Sequence, residues 1–265
     1  MAKKVYEEEK IRAIADTIRE KTGGSTTYTT EDMPSGVAEV YNAGKQAEYD
    51  AFWDAYQRNG QRTNYSGAFS GDGWNVDTFK PKYLPIVITE NNAARMFEHF
   101  SYYGKGIAAI TPDIVDFSRA THADYSFLNA EIESIQIDLG SCTSLVQTFS
   151  FPAGNVVKSI SVRLAPTSVN APFYRCVFLE NLSFWEGSVI KCKGFDFQFS
   201  TKLTKESLTN IINVLSDETS GLTVTLSKTA VNKAFETGEG YADGSDSAAW
   251  SALVATKSNW TISLV

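Results

Sequence analysis

Histidine is almost missing from this chain. His99 and His122 are the only two, 23 residues apart, and neither lies on a segment with Cys, Asp or Glu at a metal-ligand spacing. A zinc site is therefore not expected. Cysteine is scarce as well: Cys142, Cys176 and Cys192 form no CxxC pair, and any disulfide scheme leaves one thiol over. That usage suits a reducing compartment, where a free Cys is a small core residue, and where the sequons at Asn64, Asn181 and Asn259 carry no meaning. Positive charge is in deficit, with 24 Lys and Arg against 31 Asp and Glu for a formal charge of −7. A nucleic-acid backbone is thus not an expected partner. No apolar run approaches the roughly 18 residues of a membrane span. The opening Met-Ala-Lys-Lys leads into Glu7-Glu8-Glu9 with no apolar stretch behind it, so no signal peptide is expected.

Catalytic signatures are missing too. There is no G-x-S-x-G elbow and no G-x-x-x-x-G-K phosphate loop. Gly104-x-Gly106-x-x-Ala109 has no strand before it and no helix after it, and reads as a turn. Asp243-Gly-Ser-Asp246 has calcium-loop composition without the ligand spacing. The acidic residues at Glu7–Glu9 and at Glu131 and Glu133 read as solvated faces, and no carboxylate pair is fixed closely enough for glycoside hydrolysis. No catalytic residue, metal ligand or cofactor is assigned, and the chain is read as a non-enzyme.

What the chain does hold is apolar and aromatic material: 43% hydrophobic residues, including 16 Phe, 12 Tyr and 5 Trp. The pattern divides it into a helical segment at 1–59, an aromatic, Gly-rich cap at 60–82 and a repeat region at 83–265. A first helix over 5–22 follows from Ile11, Ile14 and Ile18 and stops at Gly23-Gly24. After a Thr-rich loop, helix signals resume with Thr29, Asp32 and Pro34 and run to about Gln57. Val37, Val40, Gly44, Ala47 and Ala51 form a stripe of small residues at 3-4 spacing. The stripe reads as the seam of a coiled-coil-like homo-oligomer, a trimer by analogy with fibres, or as a helix packed on its own chain. Tyr65, Phe69, Trp74 and Phe79 among turn glycines read as a plug over the end of a core, with a sugar platform as the alternative.

The repeat is the most specific feature. Ile132-x-x-Ile135-x-Ile137 is matched by Val157-x-x-Ile160-x-Val162, by Leu179-x-x-Leu182-x-Phe184 and by Thr219-x-x-Leu222-x-Val224. Phe149, Phe173, Phe195 and Phe235 follow the four triads by 11 or 12 residues. Weaker copies lie upstream, Tyr83-x-x-Ile86-x-Ile88 with Phe97, and one ending at Val115 with Phe127. The end points 115, 137, 162 and 184 are 22, 25 and 22 residues apart, inside the range of about 20–29 for leucine-rich repeats. The expected fold is thus α/β: a helical segment followed by a leucine-rich-repeat solenoid with one parallel sheet. Alternation along each strand turns Ser134, Gln136 and Asp138 outward, then Ser159, Ser161 and Arg163, then Asn181, Ser183 and Trp185, then Gly221, Thr223 and Thr225. A helix capped by Thr204, with the stripe Leu208, Ile211, Ile212 and Leu215, interrupts the series before the fourth triad. A turn at Gly238–Asp246, a helix at Ala248–Thr256 and a strand at Trp260–Val265 close the far end.

The segment from Ile11 to Gly23 (IRAIADTIREKTG), with Thr29–Pro34 (TTEDMP), resembles the N-terminal module of phage and prophage structural proteins of Gram-positive gut bacteria. The repeats, with Phe52–Gln57 ahead of them and Leu203–Leu208 near the end, are similar to the BspA-like leucine-rich repeats often joined to that module. The turns carry fewer Cys and Asn than such repeats usually do. The resemblance implies a virion component of a tail, baseplate or fibre, with other virion proteins as partners of residues 1–59. A BspA-like surface adhesin and a capsid-bound decoration or fibre protein are the alternatives. On the displayed strand face Gln136, Asp138, Ser161, Arg163, Ser183 and Trp185 are the candidate binding residues, for a host-surface glycan or a protein. Trp185 is either an exposed platform there or folded over the neighbouring repeat or under the inserted helix.

Overall fold

A computed structural model of the chain describes residues 8–22, 33–56, 65–71, 79–90, 93–100, 107–151, 156–235 and 244–265. The chain divides into two compact units, residues 1–61 and 62–265.

The first unit holds α1 (Glu8–Thr22) and α2 (Met33–Tyr56), packed against each other. Ala15 and Ile18 are buried with Val40 against them, so the buried side of α1 passes through Ala15, and the expected Ile14 is 50% exposed. Val40 thus turns toward its own chain, while Gly44, Ala47 and Ala51 are exposed and the side chain of Val37 lies outside the described residues. Tyr41 and Phe52, 61% and 46% exposed, also face outward from α2. Thr29, Asp32 and Trp74 lie outside the described residues, as do Gly104, Gly106 and most of the turn at 238–246.

The second unit is a parallel β-solenoid of about five turns. Its strands are β1 (Ile86–Glu90), β2 (Ile107–Ile110), β3 (Val115–Ala120), β4 (Ile132–Leu139), β5 (Ser144–Val146), β6 (Ser159–Leu164), β7 (Ser168–Asn170), β8 (Asn181–Phe184), β9 (Asp196–Phe197), β10 (Leu222–Leu226) and β11 (Trp260–Leu264). The front sheet runs β2-β4-β6-β8, all parallel, with Ile135 beside Ile160 beside Leu182, and Ile137 beside Val162 beside Phe184. Three of the expected triads therefore stack in register. Their β-branched members suit a half-buried pleat, and parallel pairing follows because each turn of chain returns to the same edge. Beside it, β5 and β7 form a second parallel pair.

The back of the turns is built on a ladder of phenylalanines, which lies outside the strands until Phe197 in β9. Phe69, Phe97, Phe127, Phe149 and Phe173 are all fully buried. They stack at centroid separations of 5.4, 5.4, 5.7 and 5.2 Å, and Phe197 continues the stack at 4.9 Å from Phe173. The backbone beside them has its own rule. At Phe69, Phe97, Phe127 and Phe149 the amide two residues before the Phe, its own amide and the amide two residues after it each donate to the next turn. From one turn these are Arg95 to Asp124, Phe97 to Ser126 and His99 to Leu128, at 2.9, 2.7 and 2.8 Å. The same three bonds run from Gly67, Phe69 and Gly71, from Tyr125, Phe127 and Asn129, and from Gln147, Phe149 and Phe151. Left-handed residues flank the Phe on both sides at most rungs, Gly67 and Gly71, Arg95 and His99, Tyr125 and Asn129, Ala171 and Arg175, and on one side at Phe149, where Gln147 is left-handed. Only glycine adopts that conformation without steric cost; elsewhere the hydrogen bonds to the next turn over-determine it. Residues 65–71, expected in a cap, thus repeat the same geometry, and Tyr65, Phe69 and Phe79 are buried there.

Two parts of the expected register are corrected. Val115 pairs with Ile86 in the two-stranded β1-β3 ladder, and it is Ile107 and Ile110 that align with Ile132 and Ile135. A turn closed by the amides of Ile114 and Val115 on the carbonyl of Thr111 separates β2 from β3 and shifts the phase. The fourth triad does not join the front sheet: β10 lies in a separate sheet, ordered β11-β10-β9, with Leu226 beside Phe197. That pairing puts β10 in line with the Phe ladder. Val224 and Leu226 are its buried residues, and Leu222 is only half-buried. Phe235 is not a rung either; it ends α4 (Lys228–Ala234), a helix the sequence did not announce, and meets Trp250 edge-on at 5.1 Å.

The place of a fifth front strand is taken by α3 (Lys205–Asn213), begun by Thr204, whose hydroxyl accepts from the Ser207 amide. Leu208, Ile211, Ile212 and Leu215 are buried, as the stripe predicts. Its polar residues finish the hydrogen bonding of β8: Ser207 Oγ accepts from the Leu182 amide and donates to the Glu180 carbonyl, each at 2.9 Å, and Asn210 Nδ2 donates to the Leu182 carbonyl at 3.1 Å. A strand edge that would otherwise invite another chain is closed. The expected C-terminal helix and strand are present as α5 (Ala248–Ala255) and β11. Lys257, Asn259 and Trp260 between them donate to the Leu215, Ser216, Asp217 and Thr219 carbonyls and fasten that end.

Candidate binding face

The outward side chains of the front sheet fall into three rows, because parallel in-register strands place equivalent positions side by side. Ala109, Ser134, Ser159 and Asn181 make the first row. Gln136, Ser161 and Ser183 make the second. Asp138 and Arg163 open the third, which Trp185 extends from the residue after β8. The six candidate residues are brought together on one face as the alternation predicts, and all but the exposed Gln136 are half-buried.

Within the rows the groups engage one another. Arg163 holds the Asp138 carboxylate with both arms: Nε donates to Oδ1 at 2.8 Å, and Nη2 pairs with Oδ2. The Gly140 amide also donates to Asp138 Oδ1, at 2.8 Å. A Cβ at Gly140 would sit 2.7 Å from Arg163 Nε, so the pair has this form only with glycine there. The hydrogen bond to Asp138, then its charge, raise the Arg163 guanidinium above its ordinary pKa. This arginine is a neutralised strut and not a free cation.

Trp185 folds over the neighbouring turn. Its Nε1–H donates to Ser161 Oγ at 2.7 Å, and Ser183 Oγ donates to the same oxygen at 2.8 Å. The chain then turns sharply through Gly187, at φ +82°, with the Ser188 amide donating to the Trp185 carbonyl at 3.1 Å. An open depression of about 240 Å³ lies between this turn and α3, lined by Phe184, Trp185, Glu186, Gly187, Asn210 and Asn213. Glu186, Asn210 and Asn213 are the residues the sequence reading missed. Asn210 and Asn213 stand three apart beside the apolar stripe of α3, which was the available sign.

The thiols offer no chemistry at this face. Cys142 Sγ donates to the Ala120 carbonyl and Cys176 Sγ to that of Phe149, each joining two turns. Burial pushes the Cys142 thiol up to about 12, and burial holds Cys176 well above the ordinary thiol value. Among the described residues no helix is long and apolar enough to cross a membrane, and no group of three His, Cys, Asp or Glu could hold a metal. No protein-family model, curated protein or solved structure matches the chain.

Proposed function

We propose that the chain is a non-enzymatic structural protein of a bacteriophage virion, associated with its tail, baseplate or a fibre. In this reading α1 and α2 attach it to other virion proteins, and the solenoid, of the leucine-rich-repeat kind, is displayed to bind a host-surface glycan or protein. The observation that supports it is the contrast between the exposed surfaces of the two units. The helical unit leaves Ile14, Tyr41 and Phe52 outside, with the small stripe Gly44, Ala47 and Ala51 exposed on α2. A two-helix hairpin has little else to cover such residues, so they favour like chains or a particle neighbour. The solenoid instead turns out a flat, polar and pre-ordered face, which suits recognition. The resemblance of residues 11–34 to a phage module supplies the setting.

Deleting residues 1–59 from the phage gene tests this assignment. The shortened chain is expected to fold and stay soluble but to be missing from purified particles. Its incorporation at wild-type level would place attachment elsewhere. Full-length chain found in the host envelope and not in particles would favour the surface adhesin.

A further inference from the structure

We infer that the depression between Trp185 and α3 is a subsite for an uncharged, hydroxyl-rich ligand the size of one saccharide ring. This rests on the proposal that the front face is the recognition surface. Its volume, about 240 Å³, lies below the roughly 300–1,000 Å³ of enclosed small-molecule pockets, which limits an occupant to about one ring.

Two lining side chains are already fixed. The Trp185 indole is tied to Ser161, and the Asn210 amide nitrogen is tied to the Leu182 carbonyl. A ligand therefore meets an ordered wall at little conformational cost. Two other side chains, the exposed Glu186 and Asn213, make no side-chain hydrogen bond to the described residues. Between them they offer a carboxylate, an amide carbonyl and an amide NH₂, the mixture of acceptors and donors that hydroxyl groups satisfy.

Charge decides between neutral and anionic sugars. Among the described residues no Lys, Arg or His lines the depression, and Glu186 makes it negative. Arg163 has its Cδ 3.9 Å from where a Cβ on Gly187 would be, but its guanidinium is held by Asp138. A uronate, a sialate or a phosphate would meet Glu186 with no cation to answer it.

The test uses the full chain labelled with nitrogen-15. It follows the Trp185 indole N–H resonance, assigned with Trp185→Phe. The probes are methyl β-glucoside, methyl β-galactoside and N-acetylglucosamine, set against glucuronate, N-acetylneuraminate and inorganic phosphate. At least one neutral probe is expected to shift the Trp185 signal saturably. Asn213→Ala and Glu186→Ala, both exposed changes that leave the circular dichroism unaltered, should each weaken binding by about tenfold, or about 1.4 kcal/mol. Silence with every neutral probe would overturn the inference, as would tighter binding of the charged probes or a shift indifferent to both variants. Host adsorption separates the two levels. If it still depends on Trp185 and Arg163 while no neutral sugar binds, the saccharide subsite fails and the recognition face stands. If sugar binds but adsorption ignores both residues, the recognition face fails.

Discussion

Replacing Phe149 with alanine probes the ladder at its middle. Phe149 is fully buried and stacked between Phe127 and Phe173, at 5.7 and 5.2 Å with interplanar angles of 8° and 20°. Truncating a buried Phe costs about 3–5 kcal/mol, and each lost aromatic pair adds about 0.5–1.5 kcal/mol beyond area burial. The backbone on both sides is pinned by amide-to-carbonyl bonds between turns, so the hole cannot collapse. The expected cost is therefore at the upper end, about 4–5 kcal/mol. For a unit of this size that lowers Tm by roughly 8–20 °C. The assay is thermal and denaturant unfolding followed by circular dichroism, with two controls. Phe149→Leu keeps most of the volume and should recover most of the loss. Phe178→Ala removes a ring that is 42% exposed and lies under the Lys202 ammonium, so it should cost less than about 1 kcal/mol. A Phe149→Ala loss no larger than that of Phe178→Ala would refute the ladder as the organising core.

Ile160→Ala removes a fully buried front-sheet residue between Ile135 and Leu182 and should cost about 2–5 kcal/mol in the same unfolding assay. Ser207→Ala strips the cap from the Leu182 amide and should cost about 1–3 kcal/mol as a buried group left unpaired. The pH dependence has a definite sign. A thiol raised from 9.0 to about 12 by folding, as at Cys142, adds stability that is full below pH 9 and is lost as pH climbs toward 12. A Cys142→Ala variant should show a shallower alkaline decline. Light scattering of the full chain at micromolar concentration should report an oligomer, and a clean monomer with ordered helices would count against the seam.

The three front triads were legible because a strand with one buried face alternates at period two, and Ile135–Leu139 and Ile160–Leu164 do so without interruption. The same rule misled at Thr219–Val224. Alternation identifies a half-buried strand but not the sheet that receives it, and the neighbour that decided was Phe197, after α3 had occupied the front edge. The back ladder was legible as recurring Phe but not as a backbone form. Its left-handed positions are filled mostly by Arg95, His99, Tyr125, Gln147, Ala171 and Arg175, residues that give no turn signal, with Asn129 the exception among the non-glycines. Of the site, the outward direction of Asp138, Arg163 and Trp185 followed from strand phase, and their closeness followed from the in-register stacking of repeats of similar length. Their chemistry did not. Nothing local says that Arg163 is spent on Asp138, or that Trp185 is folded onto Ser161 and brought beside Glu186 and Asn213.

Labelling intact particles with an antibody raised against residues 83–265, and imaging them by electron microscopy, tests the virion assignment most directly. The account predicts label on the tail, its baseplate or its fibres, accessible without disrupting the particle and absent from particles made without residues 1–59. Unlabelled particles, with the antibody decorating the host cell surface instead, would contradict it.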